Sequence, residues 1–219
     1  MRGMQEYFRN PFGIFTVGQP WGYDHGFRMD VESPSQVVQL AIARGLILYG
    51  DHIVDLGSGQ NPRNAIFLAT NMDCCVDGVD LAPAVIPPTI PVPARERITL
   101  QQGSVMDFEL RPDTYQAAIL TRLIQYLSTE QLIELMLRVH DSLTDRGALI
   151  LSYTASGGIL NRTAEYQIQA YAHPIDTLET LLEDIGFIVL SRIRGADHST
   201  NVPHAGEVAV TYDILAERL

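Results

Sequence analysis

The 219-residue chain is 46% hydrophobic, enough for one sizeable core and short for two. Its 15 Lys plus Arg against 26 Asp plus Glu leave a formal charge of -11, a field that repels nucleic-acid backbones and anionic membrane surfaces. The N-terminus lacks an apolar signal core, no stretch reaches the roughly 18 apolar residues of a membrane span, and the adjacent Cys74 and Cys75 have neither zinc-type nor disulfide-framework spacing, so a soluble cytoplasmic protein without a metal site is expected.

Seven of the seventeen aromatic residues fall in the first 27 positions, interleaved with glycine and proline. Such a segment resists regular structure, so residues 1–32 are expected to form a lid over a site or a contact with a second subunit in a homodimer. Ser33, Pro34 and Gln36 predict a helix that stops near Gly45. The β-branched run "HIVDL" (52–56) predicts a strand, and Asn61-Pro62 the N-cap and first residue of a helix ending at a left-handed Asn71. "CCVDGVD" (74–80), "RITLQQG" (97–103), "QAAIL" (116–120) and "ALILSY" (148–153) predict further strands, with both cysteines packed inside the sheet. Five prolines in residues 82–95 leave one crossover mostly extended.

Ser128 and Gln131 form a capping box before Leu132, Leu135, Met136, Val139 and Leu143 at helical spacing. Asp176 caps a later helix that Gly186 ends, and "FIVLSRI" and "VAVTYDILA" close the chain as an antiparallel hairpin. The sum is an α/β fold: a Rossmann-like, mostly parallel seven-stranded sheet with helices on both faces, expected to be one domain.

In such sheets ligands bind beyond the carboxyl ends of the strands, where a glycine turn feeds a helix. Gly57 and Gly59 match the first two glycines of a dinucleotide motif, but the third position is Pro62, which has no amide hydrogen. Asp55, two residues before the turn, would repel a diphosphate and attract an ammonium group. S-adenosyl-L-methionine carries that ammonium, a sulfonium and no phosphate. Asp80, 23 residues after Gly57, stands where an acid meets ribose hydroxyls, and Ser104-Val105 ends the third strand where an adenine edge would lie.

The segments "HIVDLGSGQNPRNAIFLA", "GVDL", "QQGSVMDF" and "AAILTRLIQYLSTEQLIELMLRVHDSLTDRGALILS" resemble the cofactor-binding segments of class I S-adenosylmethionine-dependent methyltransferases. The resemblance covers about residues 36–219. Within that superfamily the Arg63-Asn64 helix start and the "YDILAER" ending are similar to the tellurite-resistance-type methyltransferases. It implies that Asp55 and the turn Gly57, Ser58, Gly59 hold the methionine part, with Asn61 in place of a third glycine. Asp80 and Leu81 would meet the ribose, Ser104, Val105 and Met106 would border adenine, and Thr121 and Arg122 would line the transfer site.

The implied reaction is an in-line methyl transfer to a small-molecule acceptor, which needs a base only when the nucleophile carries a proton. Tyr23, His25 and His173 are the catalytic candidates. Two other readings stay open: a cofactor-binding relative that no longer transfers methyl, and an NAD-dependent oxidoreductase.

Overall fold

The structure, a computed structural model, describes residues 8–10, 13–15, 33–155, 158–163, 166–197 and 209–219. Two three-residue strands, β1 (Phe8–Asn10) and β2 (Gly13–Phe15), pair antiparallel. Helix α1 (Gln36–Ala43) precedes β3 (His52–Leu56), α2 (Arg63–Asn71), β4 (Cys75–Asp80), the single-turn α3 (Val92–Arg95) and β5 (Ile98–Gln102). Then come β6 (Tyr115–Thr121), a 3-10 turn at Ile124–Tyr126, α4 (Thr129–Ser142), β7 (Leu143–Thr154) and the hairpin β8 (Gly158–Thr163) with β9 (Tyr166–Ala170). Helix α5 (Ile175–Ile185), β10 (Phe187–Asp197) and β11 (Ala209–Arg218) complete the chain.

The large sheet has seven strands in the order β10-β11-β7-β6-β3-β4-β5. Neighbours from β5 through β7 run parallel and β11 is antiparallel to both β7 and β10, so a single strand is reversed. Alternation along the strands sends Ile53, Val76, Ile119, Ile150 and Leu215 toward α1 and α2. Val54, Leu120, Leu151 and Ile214 point the other way, toward α4 and α5. Each face therefore has its own apolar cluster, as a sheet covered on both sides requires. From β3 the chain winds outward through β4 and β5, then returns to β6 on the other side of β3. That reversal opens a crevice at the carboxyl ends of β3 and β6.

Several boundaries differ from the sequence expectation for local reasons. Helix α1 starts after Ser35, not Ser33, because Asn64 Oδ1 accepts the Ser35 N–H at 2.9 Å and holds that residue extended at ψ 152°. Helix α2 starts at Arg63, because the Arg63 N–H turns back to the Asn61 carbonyl at 2.8 Å and leaves Pro62 as the cap. Asn71 stays helical, and Asp73 takes the left-handed conformation at φ 57°. Pro174, not Asp176, caps α5; Asp176 lies in the first turn and pairs with Arg192 at 3.4 Å. Cys74 is buried, but Cys75 is exposed and not packed within the sheet. The Ser128 capping box forms with both of its hydrogen bonds. Among the described residues no helix is long and apolar enough to cross a membrane.

Candidate functional site

Asp55 is the penultimate residue of the central strand and is 0% exposed; among the described residues neither carboxylate oxygen has a partner at hydrogen-bonding geometry, and the Asn64 amide is the polar group that acts on it from nearby. Burial raises its pKa from 3.8 to about 7; the Asn64 amide pulls it down, the Asp80 charge pushes it up and the Arg63 charge pulls it down. Asn64 eases the carboxylate only in part, because its amide is also committed to the Ser35 N–H at 2.9 Å and the Thr121 hydroxyl at 3.4 Å. Six buried side-chain N or O atoms lack a partner among the described residues, and four of them are Asp55 Oδ1 and Oδ2, Ser35 Oγ and Ser58 Oγ. Orphaned buried acceptors are costly unless a ligand donates to them. Their concentration at one strand tip marks a place built to receive donors.

The glycine turn after β3 supports the same chemistry. Gly57 and Gly59 have φ of 76° and 77°, a conformation open to glycine, whereas Asn61 in the third position is not left-handed. A Cβ on Gly57 would meet Leu123 at 3.2 Å. The Gly57 and Ser58 amides both donate to the Val79 carbonyl, at 2.8 and 3.1 Å, and the Gly59 amide donates to Asp80 Oδ2 at 2.9 Å. The Arg63 amide is bonded back to the Asn61 carbonyl and Pro62 has no amide hydrogen. A diphosphate is held by free amides at such a turn; here three successive ones are already engaged.

Asp80 ties two loops together at the tip of β4. While Oδ2 accepts from Gly59, Oδ1 accepts the Ala82 N–H at 2.9 Å. A carboxylate has about four lone-pair sites, so two bonds leave capacity for vicinal hydroxyls. Leu81 beside it is 76% exposed, an apolar surface that a nucleoside could cover. The proline-rich crossover returns to this turn, where the Val85 N–H donates to the Gln60 carbonyl at 2.9 Å.

Past β5, the Ser104 hydroxyl accepts the Met106 N–H at 3.1 Å in a local turn, so its oxygen is occupied within the loop. Val105 is buried, and Arg138 from α4 fixes the loop by donating to the Met106 carbonyl at 2.7 Å and to the Phe108 carbonyl. This loop is rigidly placed although it lacks an acidic side chain at Ser104.

On the other side of the switch point, Thr121 meets Asn64 and thereby borders the Asp55 pocket. Arg122 has φ 58°, a left-handed backbone that costs a non-glycine residue roughly 1 kcal/mol. Its amide donates to the Ser152 carbonyl at 2.7 Å and its guanidinium to Thr154 Oγ1 at 2.9 Å. The strained turn thus aims Arg122 across β7.

His173, a catalytic candidate from the sequence, has a different position. It is 5% exposed, and its Nε2 lies 3.0 and 3.1 Å from the carbonyls of Ile124 and Leu127, so this nitrogen carries the proton and donates. The Tyr153 hydroxyl donates to the His173 carbonyl at 3.0 Å. His173 thus braces the 3-10 turn beside Arg122 through its Nε2. His173→Ala is expected to cost about 2–4 kcal/mol through two unpaired carbonyls and a cavity, read as a lower urea midpoint; an unchanged midpoint would contradict the bracing role. Tyr23 and His25 lie outside the described residues; of the segment 1–32 expected to form a lid or subunit contact only 8–10 and 13–15 are described, and these pair as β1 and β2 although regular structure was not expected there.

The hairpin β8–β9 was not foreseen. Its end is anchored beside the site, where the Tyr171 N–H donates to the Gln125 carbonyl at 2.8 Å. β8 (GILNRT) shows no apolar alternation in sequence, whereas β9 (YQIQA) alternates apolar and polar residues over its whole length, a strand signal that could have found it.

No protein-family model matches the sequence, and no curated protein matches it. Solved structures do match in fold. An S-adenosylmethionine-dependent methyltransferase of Methanosarcina mazei superposes with a TM-score of 0.62 at 14% identity, covering 81% of this chain and 97% of that one. The 1,6-didemethyltoxoflavin-N1-methyltransferase of Burkholderia thailandensis, solved with its acceptor and S-adenosylhomocysteine, gives 0.59 at 20% identity over 83% of this chain and 76% of that one. The chain has the class I methyltransferase fold. The [4+2]-cyclase SpnF is also similar, with a TM-score of 0.58 at 13% identity over 83% of this chain and 80% of that one. On this methyltransferase fold Asp55, Gly57 and Asp80 stand at the crevice that the strand order creates.

Proposed function

We propose that the chain binds S-adenosyl-L-methionine at the carboxyl ends of β3, β4 and β5 and passes its methyl group to a small-molecule acceptor. The observation that carries this reading is the orphaned, fully buried carboxylate of Asp55 beside a glycine turn whose amides are already engaged. An ammonium group satisfies such a carboxylate, and a diphosphate finds nothing to donate to it. When bound, the cofactor supplies a methyl on a sulfonium that departs as a neutral thioether. Asp55 holds the ammonium end, the Gly57, Ser58 and Gly59 turn gives it close approach, and Asp80 with Leu81 receives the ribose. Ser104, Val105 and Met106 form the adenine edge, and Thr121 and Arg122 face the transfer side. The acidic surface and the free cysteines suit a cytoplasmic enzyme without nucleic-acid or membrane partners.

A second reading is cofactor binding with a different reaction in the crevice, which the likeness to a [4+2]-cyclase favours. The NAD reading is disfavoured by Asp55 and by the engaged turn amides. Thermal shift separates the cofactors: S-adenosylhomocysteine at one hundred times its dissociation constant should add roughly 2.7 kcal/mol, and NAD nothing. A shift with NAD alone would overturn the proposal. Mass spectrometry of acceptors after incubation with S-adenosylmethionine then distinguishes methyl transfer from turnover without it.

A further inference from the structure

The face of the sheet that carries Asp55 changes character in one step across three strands. Ile119, Ile150 and Leu215 lie in register on β6, β7 and β11, all buried in the apolar cluster under α1 and α2. Two residues nearer the crevice, the same face of the same strands carries Thr121, Ser152 and Asp213, again in register. With strands about 4.8 Å apart, Thr121 and Asp213 are about 10 Å apart along this row. Because β11 is the reversed strand, its amino-terminal half brings Asp213 to the same end of the sheet as Thr121.

Asp213 is unusual for an inward position on a strand flanked by two others. It is partly buried, and no hydrogen bond or salt bridge holds its carboxylate among the described residues. Burial holds its carboxyl above the usual range, with the Arg122 charge pulling the other way. The Arg122 guanidinium is drawn to Thr154, beside this row. The cofactor residues Asp55, Asp80 and Val105 belong to β3, β4 and the end of β5, so this row occupies the other half of the crevice.

We propose that Asp213 recognises the methyl acceptor by accepting a hydrogen bond from the nucleophile's own N–H or O–H, and that the acceptor is therefore a nitrogen or hydroxyl nucleophile that bears a hydrogen and a free lone pair, not a carboxylate or phosphate: its N–C or O–C bond forms as the cofactor's S–C bond breaks, and its proton passes to the Asp213 carboxylate. This rests on the methyl-transfer reading above. A carboxylate with no hydrogen-bond donor among the described residues is completed by a ligand that donates, and it repels an anion. The assignment also gives the site a proton acceptor where His173 is committed to carbonyls.

The test uses the full chain saturated with S-adenosylhomocysteine, with ligand-observed NMR of benzylamine, benzimidazole, phenol, benzoate and phenyl phosphate. At least one of the three donor probes should bind, and its affinity should fall about tenfold or more in Asp213→Asn and in Asp213→Leu. Benzoate and phenyl phosphate should not bind in the crevice. Unchanged donor binding in both variants, binding of the anions in preference, or no donor binding at all would overturn the proposal. Titration of S-adenosylhomocysteine is run first on every variant. Retained affinity shows that the variants are folded, and failure of the wild type to bind it counts against the cofactor reading instead.

Discussion

Asp55→Asn is expected to make the ligand-free protein more stable above pH 7 while nearly abolishing its hold on S-adenosylmethionine. The carboxyl is fully buried, and its pKa is raised from 3.8 to about 7 chiefly by desolvation. A group raised in this way binds its proton more tightly folded than unfolded, so stability falls as pH climbs from about 4 to about 7 and then levels off. Integrated over that window, the ionised side chain costs on the order of 4 kcal/mol at pH 8. Asparagine has nearly the same shape and removes both the charge and its part of the slope. Melting curves between about pH 5 and pH 8 should show the wild type losing clearly more stability than the variant. Cofactor affinity should move in the opposite direction, falling by about a hundredfold with the loss of a charge-assisted bond in a buried site. A wild-type melting temperature that is independent of pH, or a variant less stable than wild type at pH 8, would sink this account of Asp55.

Asp80→Ala should lose ligand affinity as well, but with the opposite effect on stability. Asp80 is committed inside the protein: its two oxygens accept from Gly59 and Ala82 at 2.9 Å each, joining the turn after β3 to the loop after β4. Alanine leaves both amides without acceptors, at about 1–1.5 kcal/mol per bond, so unfolding free energy should drop by about 2–3 kcal/mol. The freed turn no longer holds the two left-handed glycines in place, and cofactor affinity should fall at least tenfold from this loosening and the lost ribose contact. Chemical denaturation and calorimetric titration read the two effects separately. Equal stability of Asp80→Ala and wild type would contradict the bridging role. On the proposed reading the two acids have distinct duties, one held at a cost for a ligand and the other stabilising the loops that frame it.

Which parts were legible in sequence follows from how local their causes are. The strand "HIVDL" and the capping box at Ser128 depend on residues within a few positions, and both appear as expected. The two glycines that need positive φ were likewise visible from their place after a strand. Helix starts were misplaced where a distant partner decides them: Asn64 reaches back 29 residues to fix Ser35, which no local signal reveals. His173 stood out in sequence only as a catalytic candidate, because the carbonyls of Ile124 and Leu127 that its ring meets lie more than 45 residues away. Asp213 escaped notice because its meaning lies in register across three strands, and strand order is not written in one segment. The signal was present only as a lone acid between apolar residues in "TYDILA".

The most direct test of the central claim is calorimetric titration of S-adenosylhomocysteine into wild type and Asp55→Asn between about pH 6 and pH 8, with NAD as the control. The account predicts wild-type affinity that strengthens as pH rises through about 7, an Asp55→Asn variant about a hundredfold weaker with no such dependence, and no heat from NAD. Equal affinity of the two proteins at every pH, or binding of NAD in place of the nucleoside, would contradict it.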